Sequence, residues 1–226
     1  MQQTVIRIAT SAAVAAALSF AGANWTARAQ EPKEPESKGP ASAEPASKET
    51  AKEDDAFQQR LFGRLLAGKP MHVCFSRVYD PAHLAQHPQQ NVRTMLLMVK
   101  ADVLDKQPNY ELRIGVTFRK SDKHFESAGS CGSIHDADAG GKGIAHCGVD
   151  CDGGQIDVSI KDAKSVLVSI PAGARIWRAG SGVGENDRRK RFGSDDKVFR
   201  LDKTALTQCL DLADDAKEKA AMRRGE

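Results

Sequence analysis

The stretch Tyr110-Glu111-Leu112-Arg113-Ile114-Gly115-Val116-Thr117-Phe118 alternates large apolar side chains with polar or small ones. Successive side chains of a β-strand point to opposite faces, so Tyr110, Leu112, Ile114, Val116 and Phe118 share one face and Glu111, Arg113, Gly115 and Thr117 the other. A strand with one apolar and one polar face covers a core on one side and meets water on the other, the habit of antiparallel sheets.

On either side of it, strand-like runs are predicted at 71–77, 93–103, 143–151, 155–161, 165–170, 173–179 and 196–201. Asp152-Gly153-Gly154 and Asp162-Ala163-Lys164 separate consecutive runs by connections short enough to demand antiparallel neighbours. Ahead of the strands, Asp54 or Asp55 can cap a helix that carries Phe57, Leu61, Phe62, Leu65 and Leu66 at helical spacing, with Gly68 and Pro70 to stop it. Behind them, Asp202 can cap a closing helix with Ala205, Leu206, Cys209, Leu210 and Ala213 on one face, and the charged residues 216–226 read as a fraying tail. The expectation is a mostly β domain over 54–215, an antiparallel up-and-down barrel or curved sheet flanked by N- and C-terminal helices. Its element order is lipocalin-like, although the Gly-x-Trp expected after the first helix is absent, and an analogy of fold implies no activity.

Residues 1–29 read as a cleaved secretory signal: Arg7, then an apolar run from Ile8 to Ala21 broken only by Thr10, Ser11 and Ser19, then Ala27-Arg28-Ala29. The run is short for a membrane span, and no later stretch could form one, so a periplasmic or secreted protein without a transmembrane segment is expected. Residues 30–53 consist almost wholly of Pro, Glu, Lys, Ser and Ala and read as a disordered linker, because they offer too little apolar surface to offset their ordering entropy. The net charge of the 226-residue chain is 33 − 30 = +3, and removal of Arg7 and Arg28 with the signal leaves 31 − 30 = +1. Near-neutrality argues against a nucleic-acid partner.

In an oxidising compartment, Cys74, Cys131, Cys147, Cys151 and Cys209 are disulfide candidates, with one left over. Cys74 at the start of the sheet and Cys209 in its closing helix come together if the barrel closes. Cys147 and Cys151, in one strand, lie about 13 Å apart, beyond the roughly 7 Å Cα limit of a bridge. Cys131 is therefore expected to pair with one of those two, fastening a Gly-rich loop over 127–142.

The densest chemistry lies in Ser130 to Gly154, SCGSIHDADAGGKGIAHCGVDCDGG. Its CGVDCDGG block, Cys147 to Gly154, with Cys131-Gly132 upstream, resembles a block of small secreted bacterial proteins of unknown function, a resemblance that implies no activity. His146, Cys147 and Cys151 form a donor set suited to copper(I) or zinc, against which stands their spacing along a strand. Asp136-Ala137-Asp138-Ala139-Gly140 opens like a calcium loop, but its twelfth position is Cys147 and not a bidentate acid. Asp150-Cys151-Asp152-Gly153-Gly154 reads as turn chemistry. Arg188, Arg189, Lys190 and Arg191 form a candidate anion patch, flanked by Asp187, Asp195 and Asp196 and so more simply a solvated loop. His83 and His87 have the spacing of a zinc-enzyme helix, but Pro81 and Pro88 hem them into a loop, and Trp177 reads as a packing residue.

No nucleophile elbow, phosphate loop, dinucleotide fingerprint or zinc-protease motif is present. The expected function is a non-enzymatic β-barrel module, without cofactor, that binds a small apolar ligand or a secreted protein partner. The alternatives are a secreted protease inhibitor and a metal or redox protein built on His146, Cys147 and Cys151. The barrel interior discriminates: an open apolar cavity favours a small ligand, whereas a filled core with an ordered N-terminal arm favours inhibition.

Overall fold

The structure, a computed structural model, describes residues 44–105, 107–132, 143–149, 152–181 and 192–225. Expectations on the signal and on linker residues 30–43 therefore lie outside the described residues.

The alternating stretch is β3 (Gln107–Phe118), and its five apolar side chains are all buried. It lies between β2 (Val92–Leu104) and β4 (Ser121–Cys131), antiparallel to both. β1 (Met71–Val78) flanks β2, and β5 (Ile144–Val149), β6 (Gln155–Asp162) and β7 (Ser165–Ser169) follow β4 in turn. β9 (Val198–Thr204) pairs with β7 on one side and β1 on the other, which closes an eight-stranded antiparallel barrel. The two-residue β8 (Trp177–Arg178) adds to β4 where β5 has left it.

The run at 173–179 is not a barrel strand, and the eighth stave is β4, read from sequence partly as a Gly-rich loop. β4 escaped notice because its inward positions are Phe125, Ser127, Gly129 and Cys131, mostly too small to give an apolar alternation. That smallness lets β4 and β5 approach closely: a Cβ on Gly129 would overlap the carbonyl oxygen of Gly148, whereas one on Gly148 meets nothing within 4 Å. Gly129→Ala is therefore expected to lower stability by about 1–3 kcal/mol, as for an overpacked core site, and Gly148→Ala by less than about 0.5 kcal/mol. Equal melting temperatures for the two variants would refute this account of the β4–β5 seam.

The first helix, α1 (Glu44–Phe62), begins ten residues before the expected caps, so residues 44–53 of the segment read as linker are helical. Ala, Glu and Lys propagate a helix well, and Pro45 is tolerated in a first turn. α1 also ends earlier, at Gly63 (φ 80°), whose N–H donates to the Gln59 carbonyl at 3.0 Å. Leu65 is then left on the surface.

The closing helix is likewise replaced. Asp202 lies within β9, and Leu206–Leu212 form a 3₁₀ helix. The segment read as a fraying tail contains α3 (Ala216–Arg223), capped by Asp215 and anchored by buried Met222. The Asp215 carboxylate accepts from the Glu218 N–H at 2.7 Å, and the Glu218 carboxylate reaches back to accept the Asp214 N–H at 2.6 Å.

Among the described residues the barrel interior is packed with apolar side chains: Leu97, Ile114, Ile156, Val168 and Leu201 are each 0% exposed. At one end Phe57 and Leu61 of α1 are buried against this core, Phe57 edge-on to Tyr110 with ring centroids 5.9 Å apart. Burying such a side chain contributes roughly 1.5–3 kcal/mol. At the other end the buried Asp196 carboxylate accepts backbone N–H groups of Asn91 (2.8 Å) and Gly193 (2.7 Å). A second cluster lies outside the barrel, where the 3₁₀ helix and α3 strap Leu212 and Met222 over Cys74, Met98 and Cys209.

Candidate functional site

The outward side chains of β2, β3 and β4 form two rungs. Leu96, Gly115 and Glu126 stand in register in one, and Thr94, Thr117 and His124 in the next. The 3₁₀ helix borders them with Asp211 and Leu212, and Ala179 stands at the side, enclosing a groove of about 370 Å³. Gly115 is what admits the strap, since a Cβ there would lie 3.0 Å from Leu212 Cδ2. Leu96, Gly115 and Leu212 make an apolar floor, with Glu126, His124 and Asp211 around it.

Charge in this groove is unevenly satisfied. Arg113, next to it on β3, is engaged by the strap: one guanidinium nitrogen donates to the Leu212 carbonyl at 3.4 Å and another pairs with Asp214. Glu126 and Asp211 have neither a hydrogen bond nor an ion pair among the described residues. Burial raises the Glu126 carboxyl above its ordinary value, with Arg113 opposing and Asp211 adding to the rise.

A carboxyl with a raised folded value binds its proton more tightly folded than unfolded. Its contribution to stability is present below the ordinary glutamate range and lost as pH rises through the folded value. Glu126→Gln is therefore expected to melt above the parent at pH 7 and level with it near pH 4. A variant less stable than the parent at pH 7 would show that this carboxylate is satisfied.

A second groove, of about 390 Å³, runs between α3 and the start of β1. Its acids are engaged within the fold: Glu218 with His72 Nε2 at 3.0 Å, Asp215 at the α3 cap, Asp214 with Arg113, and Asp102 with the Val103 N–H at 2.7 Å. It fastens α3 to the barrel.

The cysteines pair as Cys74–Cys209, between β1 and the 3₁₀ helix, and Cys131–Cys147, in register across the β4–β5 seam. Cys151 lies outside the described residues. The donor set His146, Cys147 and Cys151 is not assembled among them, because Cys147 is buried in its disulfide and neighbouring His146 is exposed on the opposite face. His146 Nδ1 instead lies 2.8 Å from Asp157 across the β5–β6 pair. Arg188, Arg189, Lys190, Arg191 and the 136–140 segment also lie outside the described residues. Asp152 (φ 56°) and Gly154 (φ 100°) make the β5–β6 turn.

Pro81 does not confine His83 and His87 to a loop. It opens the short helix α2 (Pro81–Gln86), whose cap Asp80 accepts the His83 N–H at 2.8 Å. Rings of Tyr79 and His83 stack at 4.7 Å and those of His83 and His87 at 4.4 Å, and His83 Nε2 is hydrogen-bonded to Gln90 Oε1. Burial pushes the Tyr79 hydroxyl up to about 12. Trp177 is buried, in register with Glu126.

Sequence reasoning passed over the groove because its carboxylates come from a strand with no apolar alternation and from a segment read as helix face. The one available signal was Gly115, a glycine on the polar face of an otherwise regular strand. No protein-family model, curated protein or solved structure matches the chain.

Proposed function

We propose that this protein is an exported, non-enzymatic barrel module that binds a protein partner on its outer surface, at the groove between the strap and β2–β4. The observation that carries this reading is the packed interior: recognition is left to the outside, where the groove combines an apolar floor with carboxylates that are unpaired among the described residues. Two disulfides are in keeping with an oxidising compartment, and no helix among the described residues is long and apolar enough to cross a membrane. Inhibition of an exported protease is one form that partner binding can take, favoured by the packed core, although residues 1–43, the source of any N-terminal arm, are not described.

The test has two arms. The apolar dye N-phenylnaphthylamine is expected to show no saturable fluorescence gain with the purified protein. A photo-crosslinking residue at Ala179 is expected, in the producing cell, to trap a discrete partner that is lost when His124→Trp obstructs the groove. Saturable dye binding, or crosslinks indifferent to His124→Trp, would overturn the reading.

A further inference from the structure

The groove between the strap and β2–β4 has the composition of a receptor for a long cationic side chain. Glu126 on β4 and Asp211 on the 3₁₀ helix come from elements far apart in sequence, and neither is paired among the described residues. The neighbouring guanidinium of Arg113 is held by Asp214 and the Leu212 carbonyl. Lys219 acts on Glu126 from α3, and His124 from the adjacent rung, so the rim is not uniformly anionic. Between the acids the floor is apolar, formed by Leu96 and by Leu212 seated over Gly115.

Such a surface matches a side chain whose stem is aliphatic and whose head is positive: methylenes cover the floor while the head meets the carboxylates. We propose that the groove holds an arginine side chain of the partner protein, with Glu126 and Asp211 as the recognising groups. This inference rests on the partner-binding reading above. The partly buried carboxylate of Glu126, unfavourable to the unbound fold, is what such a ligand would relieve.

The probe is a blocked pentapeptide with one central arginine between glycines, compared with its citrulline twin, which keeps the shape and loses the charge. Binding is followed through the backbone amide NMR signals of Gly115, Ala179 and Leu212. The arginine peptide is expected to shift these signals saturably, the citrulline peptide to bind at least about tenfold more weakly, and Glu126→Gln combined with Asp211→Asn to abolish the difference. Unchanged signals from the β5–β7 side of the barrel verify that the variant is folded. Equal binding of the two peptides overturns recognition of the cation and leaves partner binding at the groove standing. Absence of shifts with both peptides, alongside a partner trapped from Ala179, likewise overturns the inference without touching that reading. Absence of both shifts and crosslinks removes the two together.

Discussion

Replacing Cys74 and Cys209 together by alanine is expected to cost up to about 5 kcal/mol, and replacing Cys131 and Cys147 about 3 kcal/mol, on loop-closure entropy alone. The difference follows from sequence separations of 135 and 16 residues. The long bridge also fixes the 3₁₀ helix to β1, so its loss exposes Met98 and Leu212. Total stabilities of small domains run to about 5–15 kcal/mol, so the first variant forfeits a large share of the fold and the second a modest one. Denaturant midpoints with fitted slopes separate the two, and a larger loss from the short bridge would refute the ranking.

Ile114→Ala is expected to cost about 2–5 kcal/mol, and Ile114→Val about 0.5–1.5 kcal/mol. Ile114 is 0% exposed at the middle of β3, in register with Leu97 on β2 and Ser127 on β4. Close-packed neighbours anchored in a hydrogen-bonded barrel relax little into the space vacated, which places the alanine variant above a surface change by several-fold. A loss below about 0.5 kcal/mol would mean that the side chain does not sit in the core.

The fold was legible wherever one face of an element is apolar and the other polar. The periodicity of 110–118, the short turns at 152–154 and 162–164, and the Cys74–Cys209 bridge follow from local pattern and from the geometry of a closed barrel, whereas for Cys131 that reasoning leaves Cys147 and Cys151 both open and the β4–β5 register selects Cys147. β4 was not legible, because its inward Ser127 and Gly129 are too small to mark an apolar face, and at Gly129 that smallness meets the close approach of β5, a tertiary demand that leaves no periodic trace. The ends of α1 were misplaced for a different reason. Helix propensity carries it back to Glu44, and Gly63 stops it before Leu65, so the apolar spacing overran the true boundary. The groove was illegible altogether: Glu126 and Asp211 are 85 positions apart and meet only through the strap.

The pairing of β9 with β1 has a consequence for the order of events during synthesis. The first stave can be completed only by the last, so until residue 204 has emerged the nascent sheet keeps two open edges, on β1 and on β7. At about 5–20 residues per second the chain spends several seconds in that state. A product truncated before 198 can never leave it, and is a substrate for edge-to-edge association or proteolysis. The oxidation steps are ordered in the same way: Cys131 and Cys147, 16 residues apart, can meet as soon as that segment enters an oxidising compartment, whereas Cys74 must wait for Cys209, 135 residues on. The second bridge thus forms only once β9 has been made, when every stave of the barrel is present.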